Sequence, residues 1–532
     1  MDRRAFLSTL TSPLLASCEV RDGRLAYDGA LRGPDMALGH RLRDGDIPAP
    51  TGEERVAIAI IGGGIGGLSA AWRLARRGIT DFNIFELEAV PGGNARSDAN
   101  QITPYPLGAH YLPLPSRDAA FVRELLADLG VLHGDPQAAV PRYDERYLVH
   151  APQDRLYTQG LWQEGLLPRI GASPRDFDQY KRFDDLIENF KMARGPDGRK
   201  LFPIPSALAS SDKAARALDG VNLDDWLRSR GFDSPLLHWY ADYGCRDDYG
   251  ARAADTSAWA GLHYFACRDG EAADADPHSV LTWAEGNGWL VKQLVAWLAS
   301  RGAPPIRGGA LCTRLETRRS GAELDIYLGA EHRTIRVRAE HVIWAAPAFT
   351  LARAWINAGA GFRDAAAQIE TSPWLVANLT LDSTPADLGP AGLAWDNVLH
   401  DSQALGYVVA THQTIRVKAG PTVLTYYWPL AGEAPRAARA RLMTSDWKAW
   451  VAPIIAELSK PHPLLRRQLR RIDLWRWPHA MARPTPGFLT LPARAMLAAL
   501  KGPLHFAHAD LSGLSLFEEA NYAGVMAASA VR

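Results

Sequence analysis

The sequence predicts an α/β fold: a parallel sheet assembled from separated segments, with a second domain of mixed antiparallel sheet and helices inserted between them. Three observations carry this. The apolar run Val56 to Ile61 leads through glycines into a helix-periodic stretch, Leu68 to Arg77, closed by Gly78. Phe82 to Phe85 reads as a second buried strand and ends on Glu86. Further apolar strands recur at His341 to Pro347 and Leu504 to Ala507, with long stretches of different character between them.

The glycines after the first strand are Gly62, Gly64 and Gly67, a G-x-G-x-x-G pattern. Gly62 makes the tight turn, Gly64 lets the backbone approach a pyrophosphate, and Gly67 permits close helix–sheet packing. The phosphates would sit on the free N–H groups and positive dipole end of the helix. Glu86 stands where a carboxylate can accept from both ribose hydroxyls, and its charge disfavours a 2′-phosphate. Strand, helix, second strand and terminal acid together predict a Rossmann-type dinucleotide-binding unit.

Soon after Glu86 comes Gly92-Gly93-Asn94-Ala95-Arg96-Ser97. This resembles the second glycine motif of the FAD-dependent amine oxidase superfamily, which includes phytoene-desaturase-like enzymes. In that family an arginine often follows the two glycines directly; here Asn94 does, and Arg96 comes two later. The resemblance implies FAD, with Gly93 and Arg96 among its contacts. Gly108-Ala109-His110-Tyr111 is similar to the segment that passes beside the flavin ring. That implies cofactor contact at Gly108 and Ala109, and a flavin- or substrate-facing role for His110; a structural histidine is the alternative.

The N-terminus reads MDRRAFLSTLTSPLLASC. Arg3-Arg4 before a short apolar stretch resembles a twin-arginine export signal. Leu15-Ala16-Ser17-Cys18 resembles a lipobox. The expectation is a periplasmic protein attached to a bacterial membrane by one lipid at Cys18 and not spanning it. Residues 19–54, rich in Gly, Arg, Asp and Pro, read as a linker or wrapping arm.

The remaining division is 55–115, 275–350 and 495–532 for the FAD-binding domain, and 116–274 and 351–494 for the substrate domain. Ala119 to Gly130 is an amphipathic helix with a glycine stop. Within residues 238–268, Asp242, Asp247 and Asp248 lie among Tyr240, Tyr243, Tyr249 and Trp259. Carboxylates among aromatic faces can hold a cationic amine. A helix–turn–helix with a solvated acidic turn explains the same residues and is the expectation here. Glu285 to Ser300 resembles the family's return to the FAD domain, followed by strands at 311–315, 323–328 and 334–337. Segments 372–382, 405–415 and 422–430 alternate like antiparallel strands, and Ala438 to Leu458 is helical. In RIDLWRWPHAMARPTPGFL, residues 471–489, Trp477 and His479 are candidates to line the substrate cavity.

The C-terminal segment resembles the family's closing motif: a strand, an acid, then Glu-Gly-Ala opening a helix aimed at the flavin. The resemblance implies that Asp510 meets the ribityl chain or pyrophosphate and that Glu518 opens the helix. His508 and Glu519 stand where the family has glycines. Leu514, Leu516 and Phe517 occupy the region where some members have a cage aromatic. No cysteine follows Cys312, so FAD is expected to be non-covalent.

Formal net charge is zero, from 59 basic and 59 acidic residues, which gives no basic footprint for nucleic acid. The four cysteines, Cys18, Cys245, Cys267 and Cys312, have no metal-ligand spacing, so no metal is expected. No G-x-S-x-G nucleophile motif occurs. The expected activity is hydride transfer from a small-molecule C–H, an amine by resemblance, to FAD, with His110 or His479 taking the amine proton. The alternatives are desaturation or isomerisation of an apolar isoprenoid-like substrate, and a non-catalytic flavin-binding envelope protein.

Overall fold

The computed structural model describes residues 27–276, 278–386, 392–415 and 418–531. The twin-arginine segment and Cys18 lie outside the described residues.

The fold is α/β with two main sheets. In the first, Pro50–Ile61 lies between Phe82–Phe85 and Arg333–Trp344, all parallel. Leu504–Phe506 joins Arg333–Trp344, also parallel, against its last residues, Val342 to Trp344. The earlier part of that strand instead pairs antiparallel with Gly321–Leu328, which pairs with Ala310–Arg318. One sheet therefore draws strands from three distant stretches of chain.

Two expectations about this sheet need correction. Its first strand begins at Pro50 and not at Val56, because residues 50–55 alternate between exposed and half-buried. Their charges are satisfied at the rim, as in Arg307–Glu54 at 2.6 Å and Arg338–Glu53 at 3.1 Å, so no apolar run announces them. The stretches 334–337 and 341–347 belong to one continuous strand, Arg333–Trp344.

The arm is ordered from residue 27. Leu31–Arg32 pairs parallel with Leu474 and Trp475 at the edge of the second sheet. Met36–Asp44 is a helix capped by Asp35 and stopped by Gly45 at φ 78°. Its Leu38 packs with Leu311 and Tyr327 on the first sheet, so the arm touches both domains.

The second sheet has eight strands, in the order Leu31–Arg32, Leu469–Ala482, Thr371–Leu381, Thr422–Pro429, Gly406–Val409, Asp396–Leu399, Asp154–Thr158, Leu161–Glu164. Pro435–Thr444 and Trp447–Leu458 are the helices expected within 438–458, and Trp450, Ile454 and Leu458 pack into the same core as sheet residues Leu375, Leu424 and Leu474. Helices Pro174–Met192, Leu223–Ser229, Pro235–Tyr249 and Ala258–Ala266 form a separate core around Phe183, Leu237 and Trp259. Among the described residues no helix is long and apolar enough to cross a membrane.

Helix Ile65–Arg76 crosses helix Phe517–Ala530 at glycine contacts. A Cβ on Gly524 would stand 2.1 Å from the Gly66 carbonyl oxygen, and one on Gly66 would stand 2.0 Å from that of Ala507. Gly524→Ala therefore forces the helices apart. The expected cost is about 1–3 kcal/mol, read as a lower thermal unfolding midpoint.

Candidate active site

The glycine-rich turns form a cradle at one end of the parallel sheet. Gly62 leaves its strand at φ 104°. A Cβ on Gly67 would stand 2.0 Å from the Gly62 carbonyl oxygen, so only glycine lets the helix sit this close. No side chain caps the start of helix Ile65–Arg76, which follows Gly64. The second glycine turn docks on the first: Gly92 N donates to Gly63 O at 2.9 Å. A Cβ on Gly93 would come within 3.4 Å of Gly64 Cα, and side chains on both would close the gap between the turns. Such a cradle fits a pyrophosphate on backbone N–H groups.

Glu86 is buried at the cradle's edge. It accepts from Gly63 N at 2.5 Å and from Glu88 N at 2.9 Å. Burial raises its pKa despite these two bonds. Arg96 is turned to Glu88 at 2.9 Å and over the Trp475 ring at 4.8 Å.

The segment Leu107 to Tyr111 is fixed through its backbone from several sides. Trp477 Nε1 donates to Leu107 O at 2.6 Å, and the Tyr427 hydroxyl to Gly108 O at 3.0 Å. Ala109 N donates to Asn94 O, and Asn287 N to Ala109 O. Thr282 and Asn287 side chains hold the carbonyls of His110 and Tyr111. Ala109 nevertheless stays exposed, presenting a bare backbone surface in line with the glycine turns.

Asp510 Oδ2 accepts from Ala348 N at 2.8 Å, tying the C-terminal segment to the turn that follows strand Arg333–Trp344. Burial alone would raise its pKa, but His508 and the Ala348 N–H hold it below the usual range. Glu518 is buried in the first turn of its helix, and burial pushes it up to about 7. Its nearest charges are Arg268, Asp248 and Glu519, so it faces the substrate domain's polar network. The Glu519 side chain leaves the helix toward Ser206, whose N donates to it at 2.6 Å.

A cavity of about 810 Å³ opens beyond His110. Its lining includes His110, Tyr111, Tyr243, Asp247, Trp395, Asp396 and Tyr427 near that segment, with Asp154, Tyr240, Tyr264 and Arg268 beside them. His110 stacks on Tyr427 with centroids 4.3 Å apart and lies 5.6 Å from Trp395. Burial pushes its pKa down to about 3.

The acidic residues of 242–248 are not on a solvated turn. Pro235–Tyr249 is one helix, capped by Ser234 and stopped by Gly250 at φ 58°. Ser234-Pro235 and Gly250 are the sequence signals that mark these ends. Asp242 pairs with Arg246 four residues on, at 2.9 Å. Asp248 pairs with Arg268 at 2.8 Å. Asp247 accepts from the Tyr111 hydroxyl at 2.8 Å and forms no ion pair of its own among the described residues, since Arg268 is taken by Asp248. Burial, then the Asp248 charge, pushes Asp247 up to about 7. Asp396 is raised further by burial, Asp247 and Asp154, and the Tyr243 hydroxyl lies 3.4 Å away.

Of the residues expected to meet substrate, the structure brings His110 to this cavity and leaves Trp477 and His479 out of its lining. Trp477 lies behind the 107–108 backbone and supports it. His479 points the other way, to Thr371 at 3.0 Å and Phe349. The cavity instead takes Tyr427 from the run Thr422–Pro429, Trp395 and Asp396 from the start of strand Asp396–Leu399, Asp247 from helix Pro235–Tyr249, and Arg268 from just past helix Ala258–Ala266. Among the described residues no three His, Cys, Asp or Glu side chains are placed to share a metal ion. Cys245, Cys267 and Cys312 are buried and free.

Asp247 destabilises the fold once ionised. Its folded pKa lies above the unfolded value of about 3.9, so the folded state binds more protons between pH 4 and 7 and stability falls as pH rises through that window. Asp247→Asn is expected to remove that loss. Relative to wild type the variant is expected to gain stability as pH rises from 4 to 7, checked by denaturant unfolding at both ends of that window.

Residues 60–129 match the model of the NAD(P)-binding Rossmann-like domain. No curated protein matches the chain. Among solved structures, putrescine oxidase bound to putrescine aligns with TM-score 0.66 at 15% identity, over 90% of this chain and 99% of that one. Cyclohexylamine oxidase from Brevibacterium oxydans IH-35A aligns with TM-score 0.62 at 16% identity, over 90% and 98%. A CLA-producing fatty acid isomerase from P. acnes aligns with TM-score 0.61 at 14% identity, over 88% and 97%. At these identities the likeness is one of fold, and it extends over nearly the whole chain.

Proposed function

We propose that this protein is an FAD-dependent oxidoreductase that oxidises a cationic amine. The observation that carries the substrate side is the pair Asp247 and Asp396, carboxyl groups that form no ion pair among the described residues, in an aromatic cavity beside the 107–111 segment. An ammonium would supply the missing charge, and Tyr427, Trp395 and Tyr243 offer π faces around it. An isoprenoid-like substrate would instead leave both carboxyls facing hydrocarbon, a costly arrangement.

The cofactor side rests on the cradle. Gly62, Gly64, Gly67 and Gly93 would admit the pyrophosphate, Glu86 the adenosine ribose, and Gly108 and Ala109 the ring system, with Asp510 toward the ribityl chain. FAD, when bound, supplies the acceptor for a hydride from the substrate carbon. The chain's own part is positioning: His110 and Tyr427 stack as one wall, and the hydrogen-bonded 107–111 backbone holds that wall at fixed distance from the cradle. In the same proposal the protein is exported by the twin-arginine route and carries its lipid at Cys18.

The test is an absorbance spectrum of purified protein before and after anaerobic addition of mono- and diamines. The expected result is a flavin spectrum bleached by at least one amine. A flavin spectrum unmoved by all of them removes the amine reading, and absence of flavin after reconstitution removes the oxidoreductase reading.

A further inference from the structure

We infer that Asp247 is the group that takes the proton from the bound substrate ammonium, with Tyr111, Arg268 and Asp248 as the residues that position it. This rests on the amine reading above. An amine reaches the site near neutral pH as R–CH2–NH3⁺, and its carbon can release a hydride only when the nitrogen lone pair is free. A proton acceptor must therefore stand inside the cavity.

His110, the sequence's own candidate, is a poor acceptor. It is stacked on Tyr427, lies among aromatic rings and has no carboxylate partner to stabilise an imidazolium. Burial, with the Asp247 and Asp154 charges beside it, disfavours the ionised form of Asp396. Asp247 differs from both. Tyr111 donates to its Oδ2, while its Oδ1 accepts no hydrogen bond among the described residues and the side chain lines the cavity. Tyr111 is itself fixed: its carbonyl accepts from Asn287, and Arg268 Nη2 lies 3.3 Å from its hydroxyl. Arg268 is anchored in turn by Asp248 and stacks 3.8 Å over Tyr264.

In the step, one N–H bond of the ammonium breaks, its electron pair stays on nitrogen, and an O–H bond forms at Asp247. Charge falls from one cation and one anion to two neutral groups, which a water-poor aromatic cavity favours. The titratable or charged groups that act on Asp247 are Asp248, Arg246 and Tyr243 from its own helix, Tyr264 from the next, and Arg268 just beyond that helix's end. Tyr111, Asp396 and Tyr427 face it from the strands. Arg268 is the nearest cation and is already paired.

The experiment compares the pH dependence of kcat/KM for flavin reduction by the amine that bleaches wild type best. Wild type is expected to rise from acid to neutral pH as Asp247 ionises and to fall above the ammonium pKa. Asp247→Asn is expected to be about 100-fold slower at pH 7 and to speed up about tenfold per pH unit toward the amine pKa, because it can use only amine that is already neutral. Asp247→Glu should restore the acidic limb. A second readout needs no turnover: binding of a tert-alkyl amine, which has no α C–H, measured by calorimetry in buffers of different ionisation heat. Proton release at pH 7 should be larger for Asp247→Asn, about one, than for wild type, about half. A wild-type acidic limb and rate retained in Asp247→Asn, or equal proton release by both proteins, overturns the assignment. A wild-type flavin that no amine reduces overturns the function itself, which is a separate outcome.

Discussion

Everything in this molecule is arranged around the pairing of one strand, Arg333–Trp344. One edge takes Pro50–Ile61 along most of its length. The other edge is divided: its first part takes the antiparallel meander, and its last three residues take Leu504–Phe506. That division brings the first glycine turn, the Ala345–Pro347 turn and the C-terminal helix to the same end of the sheet. Ala345 N, for example, donates to Ile61 O, and Ala507 N to Trp344 O. Stretches nearly 450 residues apart in sequence thus share one crevice at the carboxyl ends of parallel strands, where open α/β sheets bind ligands.

The cradle was legible in the sequence because its chemistry is local. Gly62, Gly64, Gly67 and Glu86 fall within one βαβ unit, and at Gly62 and Gly67 the structure shows the steric demand directly as a Cβ with no room. The cavity was much less legible. Asp247 reads in sequence as part of an acidic turn, since D-D-Y-G after an arginine is ordinary surface chemistry. Only tertiary packing shows that its helix faces inward and that the arginines near it, Arg246 and Arg268, are taken by Asp242 and Asp248. Asp396 and Tyr427 sit in alternating strands in which polar and aromatic residues look like a solvated face. Trp477 carried a real signal, a tryptophan in a buried strand, but its indole N–H serves a carbonyl and not a substrate.

The electrostatics of the cavity follow from a local imbalance of charge. Most buried acids have a partner: Asp248 has Arg268, Asp510 has His508 and the Ala348 N–H, and Asp473 has Arg471 at 2.6 Å. Among the described residues Asp247 and Asp396 form no ion pair of their own: the Tyr111 hydroxyl donates to Asp247, and Asp396 has the Tyr243 hydroxyl and the Asn397 N–H. Hydroxyls orient a carboxylate without neutralising it. An arrangement that costs stability and persists in a cleft next to the glycine cradle is a pattern expected of a working site.

The 107–111 segment is clamped by both domains at once. Trp477 and Tyr427 reach it from the second sheet, while Asn94, Thr282 and Asn287 reach it from the other side. The two halves of the molecule are therefore riveted together at the very place where a hinge would have to open. Parting the halves there would break all of these hydrogen bonds together, whereas side-chain motion at the cavity mouth breaks none of them, so the smaller motion is the one the architecture resists least.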